Sequence, residues 1–110
     1  RTFETRLKEA EAAVAVATAS IQLQTASVQR GRATLDKAQA DFDRAQSLRA
    51  RGTVSDASFD AAQAALDVAR ADVAVAEAQL TNARATLAQA GEVRQRLASV
   101  ARGDRAHRGQ

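Results

Sequence analysis

The sequence contains no proline, cysteine, methionine, tryptophan or tyrosine, and only three phenylalanines among its 110 residues. Aromatic side chains normally supply much of the buried area of a globular core, so we do not expect a conventional compact core. The absence of cysteine excludes disulfides and thiol chemistry, and the absence of proline allows helices to run unbroken. Alanine is instead the most frequent residue, and with Leu, Glu, Lys and Arg it indicates long helices or a coiled coil.

The chain also lacks a large excess of either charge. Its net charge is only +3, and basic and acidic residues are mixed along the sequence. Such a weak, dispersed charge with few aromatic residues does not favour nucleic acid as a partner. Residues 12–29 carry no charge, but their serines, threonines and glutamines are too polar for a bilayer span. We therefore expect any membrane anchor to lie outside this chain.

The residue patterns of common catalytic and metal sites are missing. The sequence has no Cys/His cluster, no Gly-rich phosphate loop and no Ser–His–Asp set. The single histidine, His107, lies near the C-terminus without neighbouring metal ligands. Carboxylates such as Asp36 and Asp67 fall at outward-facing helical positions, where solvation and pairing with nearby cations are expected. We predict no enzymatic activity, no metal and no cofactor.

A seven-residue repeat runs through both halves of the chain. Large apolar residues occupy the a positions, and mostly small residues occupy the d positions. The a positions are Leu7, Val14, Ile21, Val28, Leu35 and Phe42, then Phe59, Leu66, Val73, Leu80 and Leu87. The d positions are Ala10, Ala17, Gln24, Gly31, Ala38 and Ala45, then Ala62, Ala69, Ala76, Ala83 and Ala90. This repeat predicts a left-handed supercoil, and such a narrow apolar stripe requires a partner helix.

The repeat is interrupted once, between residues 44 and 59. Gly52 suits the left-handed position that follows a helix C-terminus, and Ser55 suits the N-cap of the next helix. Val54 and Phe59 then occupy the two positions of a hydrophobic staple. The predicted turn, residues 52–54, is so short that the second helix must return antiparallel to the first.

Folding the chain at Gly52 places large seam residues opposite small or polar ones, as close packing requires. The predicted layers are Ala45/Phe59, Phe42/Ala62, Ala38/Leu66, Leu35/Ala69, Gly31/Val73, Val28/Ala76, Gln24/Leu80, Ile21/Ala83, Ala17/Leu87 and Val14/Ala90. The predicted fold is all-α, a two-helix antiparallel coiled-coil hairpin over residues 1–101. Arm one covers about 3–51, the tip 52–54 and arm two about 55–101, followed by a flexible basic tail at 102–110.

Three residues around the turn carry a family resemblance. Arg44, Leu48 and Ser55 have the spacing R-x3-L-x6-S. The neighbouring phrases also match, namely Gly52-x-Val54-Ser55 and Phe59-Asp60-x-Ala62. This stretch resembles the hairpin tip of HlyD-type periplasmic adaptor proteins, also called membrane fusion proteins, and the alanine-rich arms resemble that family over about residues 3–90.

The resemblance implies a function in efflux or type I secretion. Arg44, Leu48 and Ser55 would contact a TolC-type outer-membrane channel, while domains not in this chain would bind an inner-membrane transporter. The protein would be periplasmic, anchored to the inner membrane when full length, and assembled as a homo-oligomeric ring, commonly a hexamer. Residues 91–110 lack the Ala-Pro-Asp-Gly type phrase that leads into the family's lipoyl-like half, so that half is not expected in this chain.

The residues themselves leave a structural alternative open at each tip position. Leu48 lies beside the seam and could cap its last layer, Arg44 could be an ordinary solvated residue, and N-capping alone would explain Ser55. The alternative function is a purely structural coiled-coil spacer or oligomerisation hairpin with no channel partner.

Four apolar residues fall at c positions, away from the seam. Val16 and Leu23 lie seven residues apart on arm one, and Val68 and Val75 lie seven apart on arm two. Single surface valines are common, but this repeated spacing predicts a weak lateral face that packs neighbouring hairpins together.

Overall fold

The protein is built from two long helices. The computed structural model describes the backbone of residues 2–108 and the side chains of residues 2–103. Helix α1 spans Thr2–Ala50 and helix α2 spans Asp56–Arg108, with residues 51–55 between them. The chain returns antiparallel after this connection, and the described residues contain no strand. The predicted all-α, two-helix antiparallel hairpin is therefore confirmed.

The second helix is longer than the predicted arm. It continues to Arg108, past the expected end near residue 101. Only Gly103 interrupts a run rich in Ala and Arg there, and one interior glycine costs a helix about 1 kcal/mol, which does not by itself end it. Residues 109–110 and the side chains of 104–110, including His107, lie outside the described part, so the flexible tail at 102–110 stays a prediction.

The helices pack within two compact units, which we describe separately. The turn unit is Gln24–Leu80, and the open-end unit contains residues 2–23 and 81–108. In the turn unit every buried side chain occupies a predicted a or d position. These residues are Val28, Ala38, Phe59, Leu66, Ala69, Val73, Ala76 and Leu80.

Gly31 of α1 lies opposite Val73 of α2 in the turn unit. A Cβ atom on Gly31 would lie 3.4 Å from Cγ2 of Val73 and 3.8 Å from its Cα. Val73 therefore lies within van der Waals contact distance of the position that a Cβ atom on Gly31 would take. This contact confirms the Gly31/Val73 layer, and the large residue opposes the smallest possible one.

The buried apolar cluster of the turn unit lies between Gly31 and the turn. Ala38, Leu66 and Ala69 form a buried cluster, and the half-buried Leu35 and Phe42 pack against it. Large residues from both arms thus alternate with alanines from the facing arm, as the predicted layers require. Full burial of one Leu side chain contributes about 1.5–3 kcal/mol.

Polar contacts flank this seam on the side of the e positions. Arg32 donates to Glu77 at 3.1 Å, and Arg70 donates to Gln39 at 3.4 Å. Each contact joins α1 to α2, so both favour the same register as the apolar layers. The Arg32–Glu77 pair is about half exposed, and such pairs contribute only about 0–1 kcal/mol.

The open-end unit has a thinner core. Its buried residues are the alanines Ala10, Ala17 and Ala83. The larger seam residues there are only half-buried, namely Leu7, Val14, Ile21, Leu87 and Leu97. The heptad is thus observed in this unit too, with less apolar area removed from water per layer.

Candidate functional site at the hairpin turn

The C-terminus of α1 closes in a Schellman motif. Gly52 has φ 74°, and its N–H donates to the Arg49 carbonyl at 2.9 Å. The Thr53 N–H donates to the Leu48 carbonyl at 2.9 Å, and the Thr53 hydroxyl donates to the same oxygen at 3.0 Å. This hydrogen-bond pair with a glycine at positive φ defines the motif, and it places Gly52 as the sequence predicts.

The N-terminus of α2 is capped by Ser55. The Ser58 N–H donates to Oγ of Ser55 at 3.1 Å, and the Phe59 N–H donates to the Ser55 carbonyl at 3.0 Å. The Ser55 hydroxyl itself donates to Oγ of Ser58 at 3.1 Å. The predicted N-cap is therefore confirmed, and both the donor and one acceptor of this hydroxyl are already used within the turn.

Phe59 anchors the turn to the seam. Its ring is buried and packs against Phe42 with the centroids 5.4 Å apart and the planes tilted by 42°. Val54, the other predicted staple residue, is half-buried. Two of the three phenylalanines of the chain thus meet next to the turn, one from each helix.

Arg49, near the end of α1, contacts two residues of α2. Its guanidinium carbon lies 4.3 Å from the centroid of the Phe59 ring, and Nη2 lies 3.5 Å from Oδ1 of Asp56. The heptad assignment from the sequence did not include this contact. The missed signal was its spacing, because Arg49 occupies the a position that follows Phe42.

The three residues of the family resemblance occupy different environments. Arg44 is exposed, and its Nη1 lies 3.3 Å from Oδ1 of Asp41 on the same helix. Leu48, one turn later, is half-buried, whereas Ser55 is exposed on the far side of the turn. Arg44 and Leu48 share one side of α1, and no hydrogen bond within the described residues joins either side chain to Ser55.

Arg51 is a tip residue that the motif did not include. Its side chain is exposed, and its N–H donates to the carbonyls of Ser47 and Leu48 at 3.3 and 3.2 Å. Within the described part of the chain its guanidinium has no ion pair and no hydrogen bond. Its backbone is therefore fixed while its charge remains accessible.

The four residues of the predicted lateral face are all exposed. Val16 and Leu23, in the open-end unit, are 70% and 66% exposed; Val68 and Val75, in the turn unit, are 60% and 58% exposed. Val93 and Val100 of the open-end unit are also exposed. We did not single out this last pair from the sequence, although its seven-residue spacing was the available signal.

Open grooves line the described surface of the helices. One groove, of about 460 Å³, lies within the open-end unit and is lined by Arg6, Glu9, Ala10, Val93, Arg96 and Leu97. A second, of about 370 Å³, lies within the turn unit and is lined by Ser27, Arg30, Gly31, Thr34, Asp72 and Ala76. The residues that the structure describes include no cluster of metal-ligating side chains. Neither α1 nor α2, as described, has a stretch apolar enough to cross a membrane.

Comparison with protein-family models, curated proteins and solved structures finds no match to this chain. The residues at the turn form a short, doubly capped connection with exposed polar side chains around it.

Proposed function

We propose that this chain is the α-helical hairpin of a HlyD-type periplasmic adaptor and that its tip docks onto a TolC-type outer-membrane channel. One observation carries the proposal: the R-x3-L-x6-S residues bracket the turn of an antiparallel hairpin. Arg44 and Leu48 lie on the last turns of α1, and Ser55 begins the cap of α2. The same three letters elsewhere in a helix would have no such relationship to a chain reversal.

The wider proposal follows from the family. Domains outside this chain bind an inner-membrane transporter, and the assembly moves its cargo across the periplasm for efflux or secretion. The full-length protein is held at the inner membrane and forms a ring, commonly of six copies. The proposal assigns no catalytic role to the hairpin.

A rigid turn supports docking because little order must be gained on binding. The Schellman motif, the Ser55 cap and the Arg49–Asp56 ion pair all favour the same conformation of the tip backbone. Each hairpin contributes one tip to the contact with the channel. In a ring, several tips engage one channel together, and the linkage raises the overall affinity without new contacts.

The exposed c-position residues supply a second part of the proposal. Val16 and Leu23 in the open-end unit, and Val68 and Val75 in the turn unit, contact neighbouring hairpins of the ring. Their exposure within the single chain supports this role, because a contact face must be accessible before neighbouring hairpins cover it. Each pair is expected to form contacts with neighbouring hairpins from its own unit.

Charge reversal at Arg44 tests the docking function. Arg44→Asp should abolish channel-dependent export in the full-length protein while the isolated hairpin stays helical. The fold should tolerate the change because the exposed Arg44–Asp41 pair contributes at most about 1 kcal/mol. Arg30→Asp is the matched control, since Arg30 is an exposed c-position arginine two heptads earlier. Normal export with Arg44→Asp would contradict the proposal.

A specific observation favours the second candidate, a structural spacer without a channel partner. Each tip residue already has a role inside the chain: Arg44 pairs with Asp41, the Leu48 carbonyl accepts hydrogen bonds from the turn, and Ser55 caps α2. A spacer would depend on hairpin length and folding but not on the charge at Arg44. Export that survives Arg44→Asp and fails when whole heptads are deleted from both arms would select this candidate.

A further inference from the structure

The tip carries three arginines, and the structure divides them into two kinds. Arg44 lies 3.3 Å from Asp41, and Arg49 lies 3.5 Å from Asp56 while it covers the Phe59 ring. Arg51 has no ion pair and no hydrogen bond to its guanidinium within the described residues. Two of the three charges are therefore satisfied inside the chain, and the third is not.

This difference decides which arginine gains most from a partner. A carboxylate that approaches Arg44 competes with Asp41, and one that approaches Arg49 competes with Asp56 and with the ring. Arg51 exchanges only water for the new contact, so more of the interaction energy remains as net affinity. The planar guanidinium can donate two parallel hydrogen bonds to a carboxylate, which makes such pairs strong and directional.

The position of Arg51 suits a contact at the end of the hairpin. It immediately precedes Gly52, and its N–H is held by the carbonyls of Ser47 and Leu48. The exposed side chain therefore extends from a backbone that hydrogen bonds hold at the end of α1, two residues before Thr53 in the sequence. A cation here also favours the dipole at the end of α1, and the experiment must separate that structural effect from recognition.

We infer that Arg51 binds an aspartate or glutamate side chain on the protein that receives the tip, and that this contact is a determinant of partner specificity. The inference rests on the proposed docking function and adds a residue outside the R-x3-L-x6-S pattern together with the chemistry of its partner. The inference predicts that the surface of the partner that contacts the tip is neither basic nor purely apolar.

The test measures the affinity of the full 110-residue chain for a purified TolC-type channel in detergent, at several salt concentrations. Arg51→Gln keeps a polar side chain of similar length but removes the charge. We expect it to weaken binding about tenfold to a hundredfold at low salt, as loss of one charge-assisted hydrogen bond implies. Arg51→Lys should retain part of the affinity, and Arg30→Gln should bind like the wild type.

Salt dependence separates recognition from folding. Loss of the Arg51 charge should also make binding less sensitive to salt, because an exposed ion pair is screened by added ions. Circular dichroism and thermal unfolding of each variant report any effect on the turn itself. Weaker binding with an unchanged salt dependence would overturn the inference, since a charge pair would not then be the cause.

The outcomes also distinguish this inference from the docking function on which it rests. If Arg44→Asp abolishes binding and Arg51→Gln binds like the wild type, docking stands and the inference is wrong. If the wild-type chain does not bind the channel at all, both fail. If both variants weaken binding while Arg30→Gln does not, both are supported.

Discussion

The guanidinium carbon of Arg49 lies 4.3 Å above the centroid of the Phe59 ring, and this contact joins the end of α1 to the start of α2. Arg49 occupies a seam position where the heptad would otherwise place a large apolar residue. Its planar group covers the ring on the side where the helices end, and Asp56 holds its charge. A charged residue thus completes the last layer of an apolar seam.

Arg49→Ala should lower the free energy of unfolding by about 1 kcal/mol. The estimate combines a partly exposed cation–π contact, about 0.5–1 kcal/mol, with an exposed ion pair of about 0–1 kcal/mol. The stability of Arg49→Lys should lie between that of the wild type and that of Arg49→Ala. An ammonium keeps the charge but lacks the planar group that stacks on an aromatic ring. Urea unfolding of the three proteins measures the order. A lysine variant less stable than the alanine variant would contradict the stacking argument.

Gly52→Ala should destabilise the hairpin by about 1–2 kcal/mol. The backbone there has φ 74°, and an L side chain pays about that cost in the left-handed region. No atom lies within 4 Å of an added Cβ at Gly52, so a steric clash is not the cause.

Gly91→Ala is the matched control for that substitution. A Cβ at Gly91 also meets nothing within 4 Å, but the residue lies inside α2, where alanine is favoured over glycine by about 1 kcal/mol. The same chemical change should therefore raise the melting temperature at Gly91 and lower it at Gly52. Equal effects at both positions would mean that the backbone conformation at Gly52 is not what selects glycine.

Ser55 allows its two roles to be separated. Ser55→Ala removes the cap and should cost about 1 kcal/mol, whereas Ser55→Asp can still accept the Ser58 N–H and should keep most of the stability. Thermal unfolding measures this structural part. If docking also needs the hydroxyl, the aspartate variant should fold normally and bind a TolC-type channel less well. Normal binding by Ser55→Asp would leave the cap as the role of Ser55 at the tip.

The seam was predictable because the pattern of large residues at a positions and mostly small residues at d positions is repeated in successive heptads. Every buried residue of the described chain falls at a predicted a or d position, and Gly31 meets Val73 as its layer requires. The turn was predictable for a different reason, since a glycine followed by an N-cap serine is a local signal that needs no tertiary context.

The contacts of the tip arginines were less accessible from the sequence. Whether Arg44 pairs with Asp41 depends on the side-chain rotamers of two exposed residues, which a spacing of three permits but does not require. The contact of Arg49 with Phe59 was not predicted, because a heptad assignment based on apolar residues stops where a charged residue takes the a position. The contact depends on Phe59 of the other helix, which comes close only after the chain has folded.

The lateral face can be tested with charges placed on α2. Val68→Lys combined with Val75→Lys should leave the single hairpin helical, because both side chains are more than half exposed. In the full-length protein the same pair should reduce ring assembly, since two like charges would have to be buried between neighbouring copies. Ala71→Lys with Ala78→Lys is the control, as these exposed residues have the same spacing on the same helix but lie opposite the seam. Sedimentation velocity measures assembly. If both double variants assemble like the wild type, Val68 and Val75 do not form a contact between hairpins.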